Sequence, residues 1–238
     1  MAILKQQNVH NKLLALLPEV DFDLLAPDLQ HVVLARGTTI AVRGTAIKSI
    51  YFLTSGIGSV IVTTPEGHRA EAGVFGSDGY VPSTAIAGVV ASSFDVGIQL
   101  DAEAYRMEYG VFRQRMEDNI NLNKIMLRSI EAFAVQLAYT AVSNAVHDVN
   151  ERLARWLLMC HDRTIGNEIP LTHEFISLML AVRRPSVTTS LHILEGNGFI
   201  KATRGNITIW NRPALEEFAR DAYGQPEEEY RRLMKDIF

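Results

Sequence analysis

A single cysteine, Cys160, stands among the 238 residues. One thiol excludes both an intrachain disulfide framework and any four-cysteine zinc or iron–sulfur site within one chain. Long apolar runs are lacking too: none approaches the roughly 20 apolar residues a membrane span requires. The N-terminal MAILKQQNVHNKLL carries no long apolar core behind a basic start, so a cytoplasmic chain without a membrane partner is expected. There is no nucleophile–base pairing, no His-x-x-x-His spacing and no lysine-bearing phosphate loop. Accordingly no catalytic residue, metal ligand or cofactor is assigned, and the chain is not expected to be an enzyme. Positive charge is scarce, with 23 Lys and Arg against 27 Asp and Glu, and it is absent between Arg69 and Arg106. The segment 171–212 reverses the balance with five basic and two acidic residues, and phosphate binding depends on local rather than net charge.

That basic segment is also the most strongly patterned. In LTHEFISLMLAVRRPSVTTSLHILEGNGFI, Thr172 is a good helix N-cap, and Phe175, Ile176, Met179 and Leu180 give the helix from His173 one buried face. A turn, Ala181-Val182-Arg183-Arg184, leads to Pro185, which suits the first position of a second helix because its missing N–H would have had no partner there. Val187, Leu191 and Leu194 form that helix's apolar face. Ser186, Thr189, Ser190 and His192 are read on the other side, where short polar side chains can approach base edges. Asn197-Gly198 ends the helix. Two β-prone runs, FIKAT and ITIW, then flank Arg204-Gly205-Asn206 as a hairpin. Helix, turn, helix and hairpin make a winged helix. Its candidate DNA-contacting residues are Thr172, Arg183, Arg184, Ser186, Thr188, Thr189, His192 and Arg204. The competing reading is a ligand-binding sensor whose winged helix contacts protein rather than DNA.

The 47% hydrophobic content suffices for one large or two ordinary domains. Residues 11–32 read as short helices broken by Pro18 and Pro27. From about Val32 to Gln99, short β-prone runs at 38–42, 49–53, 58–63, 69–74 and 93–100 alternate with glycines, as in a jelly roll. A short helix, VFRQRMED, leads into a long one ending near 146. With Ile120 at heptad position a, the a positions are Ile120, Leu127, Ala134 and Ala141, and the d positions Asn123, Ile130, Leu137 and Asn144. Asp148-Val149-Asn150 marks a hinge, and a helix from Glu151 to about Arg163 buries Leu153, Trp156, Leu157 and Cys160, with Cys160 read as a core residue. The tail from Ala214, with its Glu run, is expected to form one or two short helices with a solvated face.

VNERLARWLLMCHDR, RRPSVTTSLHILEGNGFI and the roll-like SIYFLTSGIGSVIVTTPEGHRAEAGVFGSDG together resemble the Crp/Fnr family of bacterial transcription regulators over nearly the whole chain. The resemblance implies an α+β chain in three parts. Residues 1–110 would form a β-roll sensor resembling a cyclic-nucleotide-binding domain, 111–147 a linker and dimerisation helix, and 148–238 a winged helix-turn-helix domain. It implies a homodimer joined through Ile120, Leu127, Ile130, Ala134, Leu137 and Ala141, with double-stranded DNA and RNA polymerase as partners. The effector pocket would include Val74, Phe75, Gly76, Ser77 and Leu137. Two departures argue against cyclic AMP. The family's Glu after Phe-Gly is Ser77 here and the phosphate-binding Arg is missing; and where cyclic-AMP binders offer Thr-Ser from the long helix, this chain has Leu137-Ala138. A buried cyclic phosphate would lack a charge partner.

Overall fold

The computed structural model describes residues 4–235 and 237. Two short helices open the chain, α1 (Lys12–Ala15) and α2 (Glu19–Leu25). Asn11 caps α1 and also donates from its side chain to the carbonyls of Leu53 and Gly79, each at 2.9 Å, tying the N-terminus to the sheet beneath. Seven strands follow: β1 (Gln30–Leu34), β2 (Thr39–Ala41), β3 (Ser49–Leu53), β4 (Ile57–Thr63), β5 (Arg69–Phe75), β6 (Asp95–Leu100) and β7 (Ala102–Glu108). They form two antiparallel sheets, ordered β1-β7-β3 and β2-β6-β4-β5. Leu34, Leu53, Val60, Val96, Ile98 and Ala104 pack together between the sheets, as a roll requires.

Two strands depart from the sequence reading. Gln30–Leu34, expected as helical, is β1, and Ala102–Glu108, not anticipated, is β7, the central strand between β1 and β3. AEAYRME is poor in β-branched residues, but pairing on both edges and the burial of Ala102, Ala104 and Met107 override local propensity.

Helix α3 (Tyr109–Asp118) leads into α4 (Ile120–Val146), whose N-cap Asn119 accepts from the Leu122 N–H at 2.8 Å. By length and mean hydropathy, 1.3, α4 is apolar enough to cross a membrane, which corrects the expectation that no run comes close. Here, however, α4 packs on β5, α1 and α3, burying Leu122, Ile125, Met126 and Ala132. Helix α5 (Val149–His161) follows at once. Its cap is Asp148, which accepts from Asn150 and Glu151 while Glu151 reaches back to the Asp148 N–H in a capping box. Cys160 is fully buried, and burial, reinforced by Glu71, pushes its thiol well up from the ordinary range.

The C-terminal part comprises β8 (Glu168–Ile169), α6 (His173–Leu180), α7 (Arg184–Gly196), the hairpin β9 (Ile200–Thr203) and β10 (Asn206–Ile209), α8 (Arg212–Ala219) and α9 (Gln225–Met234). The hairpin is widened by β8, which pairs with β10. Helices α8 and α9 are the short helices expected of the tail; α9 keeps Glu228, Arg231 and Arg232 exposed on one face, and with the other it lies along α4 and buries Pro226 and Met234.

The roll and the winged helix share a core. Ile57, Val74 and Leu100 of the roll pack in one cluster with Leu153, Ile176, Met179 and Leu191. Polar contacts cross the same joint: the Trp156 indole donates to Glu71 at 2.8 Å, and the Ser59 hydroxyl donates to the other Glu71 oxygen. The Gln136 amide pairs with both the N–H and the carbonyl of Val74, at 2.9 and 3.1 Å. Glu71 is walled in by Ser59, Trp156 and Arg155, and burial raises its pKa to about 7 against the lowering effect of these partners.

Candidate nucleic-acid interface

The helix-turn-helix begins at Thr172, whose hydroxyl accepts from the Phe175 N–H at 3.3 Å. Helix α6 ends on Ala181 in the left-handed region, φ 51°, an uncommon conformation for a residue with a Cβ. Several bonds lock the turn: the Val182 N–H donates to the Ser177 carbonyl at 3.1 Å, the Ser177 hydroxyl to the Val182 carbonyl at 2.6 Å, and Arg152 of α5 to the Leu180 carbonyl at 2.5 Å. The angle at which α7 leaves the turn is therefore fixed by hydrogen bonds.

Helix α7 starts one residue earlier than the sequence suggests, at Arg184 with Arg183 as N-cap, so Pro185 stands at its second position. Val187, Ser190, Leu191 and Leu194 are buried, while Arg183, Arg184, Ser186, Thr189 and His192 are exposed. Ser190 corrects the sequence reading: it lies three residues after Val187 and one before Leu191, which places it on the inner face, with 3% exposure. Thr188 is half-buried and engaged locally. Its hydroxyl bonds the Arg184 carbonyl at 3.2 Å and lies 3.0 Å from the His173 ring nitrogen.

Arg184, His192 and Arg204 come together with Thr172 along a groove between α7 and the hairpin. Among the groove residues that sequence reasoning did not assign as contacts are His173 and Glu195. Glu195 is held there by accepting from the Ala202 N–H at 3.0 Å, a contact that pins the hairpin to the helix. Among the described residues, the arginines of this part of the chain that form ion pairs are Arg163 with Asp78, Arg212 with Asp162 and Glu216, Arg220 with Glu151 and Arg232 with Glu229. Arg183, Arg184 and Arg204 take part in none. The first turn of α7 holds no acidic residue, and its N-cap side chain makes no capping bond. Helix dipole and guanidinium groups thus present uncompensated positive charge on one exposed surface, as an anionic backbone would require.

The residues expected to join two chains lie on α4. Ile120 and Leu127 are 67% and 53% exposed, and Ala134, Ala138, Ala141, Val142, Ala145 and Val146 are exposed beyond them. Ile130 and Leu137 are half-buried, Ile130 against the chain's own core. The open stripe therefore runs through the a positions and, toward the C-terminus, widens over Ala138 and Ala145 at e, Val142 at b and Val146 at f, rather than following a and d.

The expected effector residues separate. Val74 and Phe75 line a cavity of about 420 Å³ between the roll, α4 and the C-terminal helices. Gly76, Ser77 and Leu137 are not among its lining residues. Gly76 is instead the bed for the Arg163 stem, where an added Cβ would come within 2.9 Å of the Arg163 Cβ. The Ser77 carbonyl accepts from the Lys12 N–H at 2.7 Å, and Leu137 packs beside Gly73. The cavity also contains residues that the sequence did not single out, Arg163, Arg212, Tyr223, Glu227 and Tyr230. They come from the segment just after α5, from α8, from the segment before α9 and from α9 itself, and no local signal in the tail pointed to that packing.

Residues 151–218 match the family model of the Crp-like helix-turn-helix domain. No curated protein matches the chain. Among solved structures, a putative transcriptional regulator of the Crp/Fnr family from Eubacterium rectale is similar, with 18% identity, a TM-score of 0.67, and coverage of 88% of this chain and 98% of that one. A CRP-family transcriptional regulator from Thermus thermophilus has 21% identity and a TM-score of 0.67, covering 79% and 96%. The c-di-GMP responsive global regulator CLP of Xanthomonas campestris has 15% identity and a TM-score of 0.64, covering 81% and 99%. At these identities the likeness is one of fold.

Proposed function

Starting from what the chain is, a protein of the Crp/Fnr regulator fold with a Crp-like helix-turn-helix domain, we propose that it is a sequence-specific, DNA-binding regulator of transcription that works as a cytoplasmic homodimer without enzymatic activity. The observation that carries this reading is the outer face of α7, where Arg183, Arg184, Ser186, Thr189 and His192 are exposed around a helix N-terminus bearing no counter-charge. Arg184 is the long bidentate donor suited to guanine O6 and N7, and Thr189 offers one hydroxyl and a methyl to a neighbouring base. Arg204, at the hairpin tip, suits a backbone phosphate.

The open apolar stripe of α4 supports dimerisation, since small alanines toward its C-terminal end would allow two helices to approach closely. Two copies of α7 would then enter successive major grooves about 34 Å apart. Control by an effector bound to the sensor, without cyclic AMP, an iron–sulfur cluster or any other cofactor, and contact with RNA polymerase complete the proposal. Residues 70–105 supply no Arg or Lys for a cyclic phosphate.

Selection of bound duplexes from a random DNA pool tests the reading. The expected product is an inverted repeat with half-sites about 10–10.5 base pairs apart, centre to centre. Recovery of no enriched sequence, with affinity no greater than that of an unrelated acidic protein, would instead favour a winged helix that contacts protein.

A further inference from the structure

Among the residues lining the groove between α7 and the hairpin, His173 is set apart by the bond its ring already makes. It is the first residue of α6, half-buried, beside the Thr172 cap and in the same groove as Arg184 and Arg204. Its Nδ1 lies 3.0 Å from the Thr188 hydroxyl, and that hydroxyl lies 3.2 Å from the Arg184 carbonyl one helical turn back. A hydroxyl has one proton, and a carbonyl oxygen can only accept. The Thr188 proton therefore goes to Arg184, the usual back-bond of a threonine inside a helix, and the Thr188 oxygen accepts from His173. This bond places the single proton of the neutral imidazole on Nδ1 and leaves Nε2 with a lone pair. Among the described residues, the bond to Thr188 is the one the His173 ring makes.

The charges around the ring leave it without an anionic partner. Among the described residues, the histidines that meet a carboxylate are His31, His68 and His147, and His173 does not. On its own helix Glu174 is exposed. From α7 come Arg183, Arg184, His192 and Glu195, and from the hairpin Lys201 and Arg204. Glu195, the acid that lines the groove, already accepts from the Ala202 N–H at 3.0 Å. On its inner side α6 packs on β5 and α5, where Glu71 is engaged by Ser59 and Trp156, and Arg152 by the Leu180 carbonyl. A phosphate oxygen of DNA can only accept, so beside the neutral ring it would meet the Nε2 lone pair. A second ring proton turns Nε2 into a charged donor, and imidazole is the side chain that gains such a proton within the physiological pH range.

We propose that His173 is a proton-linked DNA contact: its neutral ring, held by Thr188, disfavours a backbone phosphate, and its doubly protonated ring donates to that phosphate through Nε2. Each half-site then takes up to one proton from solvent when it binds. Because the bound state favours the charged ring, affinity falls as pH rises, and it falls alike for all sequences because a phosphate carries no base identity. The proposal rests on the regulator reading for the DNA and on the Thr188 geometry for the position of the proton.

Fluorescence anisotropy of the full chain on a selected duplex at pH 6 and pH 8, with nitrogen NMR of the imidazoles in the free protein, tests it. The neutral His173 ring at pH 8 should carry its proton on Nδ1. Affinity should fall about tenfold from pH 6 to pH 8, and the salt dependence should be steeper at pH 6 by about one counterion per half-site. His173→Arg, charged throughout, should bind as tightly at pH 8 as at pH 6, and His173→Gln should bind weakly at both. Thr188→Val frees the neutral ring to carry its proton on Nε2 and should recover most of the affinity at pH 8. His192→Gln removes another imidazole of the groove and should keep the pH dependence, whatever its affinity. A neutral ring protonated on Nε2, a pH dependence that persists in His173→Arg, or one that disappears only in His192→Gln would each overturn the proposal. Equal affinity of the unaltered protein at the two pH values overturns it as well and leaves the regulator reading standing, whereas failure to bind any duplex at either pH refutes that reading itself.

Discussion

Helices α7 and α9 are built alike and used oppositely. Both are short, both carry a proline in the first turn, and both bury one face. Helix α9 neutralises itself: Glu227 and Glu228 lie in its first turn, Arg231 and Arg232 in its last, the Glu227 carboxylate accepts from the Gly224 N–H at the N-cap, and Arg232 pairs with Glu229. Helix α7 does the reverse, with two arginines at its positive end, no acid in the first turn and no side-chain cap. Each uncompensated charge near a helix terminus forgoes roughly 0.3–1 kcal/mol of stability. A helix that merely packs has no reason to forgo it, and one that meets phosphates does. The same division runs through the molecule, with the outer face of α7 and the stripe on α4 left open, and the joint around Glu71 and the face of α9 closed.

If that division is right, changes on open surfaces should alter association and leave the fold intact, whereas changes on closed ones should alter stability. The largest effect is expected from Leu127→Asp, which would place an unpaired charge between two α4 helices at a cost of several kcal/mol to the dimer. Sedimentation should show a folded monomer, and a variant that still sediments as a dimer would move the interface off this stripe.

Next comes pH. Glu71 titrates near 7 when buried and in the ordinary carboxylate range when released, so the folded state takes up a proton between those values. Its stabilising contribution is complete below the ordinary range and is lost as pH rises to about 7, with a total on the order of 3 kcal/mol. Urea unfolding from pH 5 to 8, followed by Trp156 fluorescence in a Trp210→Phe background, should show the decline, and Glu71→Gln should flatten it. An unchanged slope in Glu71→Gln would place the titrating group elsewhere. The smallest effect belongs to Arg204→Ala, which should weaken binding to all duplexes about equally and lower the salt dependence by about one counterion. An altered sequence preference would instead give the hairpin tip a role in reading bases.

The open surfaces were largely legible in the sequence and the closed ones were not. The boundaries of α6 follow directly from the Thr172 cap and the apolar spacing, and the hairpin follows from β-prone runs around Gly205, because caps, turns and periodicity are local signals. Ser190 was misplaced although the same periodicity assigns it, since a short polar side chain suggests a surface and its spacing from Val187 does not. Strand β7 was missed because AEAYRME becomes a strand only through its neighbours on both sides. The cavity was half visible: Val74 and Phe75 belong to a motif, but Arg163, Tyr223 and Tyr230 reach it by long-range packing of α5, α8 and α9. The tail's short helices and their solvated face were legible, but the sequence does not show that the opposite face, that of Met234, packs on α4.

The central claim, that the uncompensated end of α7 reads DNA, is tested most directly by exchanging one arginine on each of the two helices. Fluorescence anisotropy on the selected duplex, without added ligand, should show Arg184→Ala weaker by about 1–3 kcal/mol, roughly tenfold to a hundredfold, with relaxed preference at one base pair per half-site. Arg231→Ala, which removes the same charge from α9, should stay within about twofold. Equal losses in the two variants, or a loss confined to Arg231→Ala, would contradict the assignment of α7 as the reading helix.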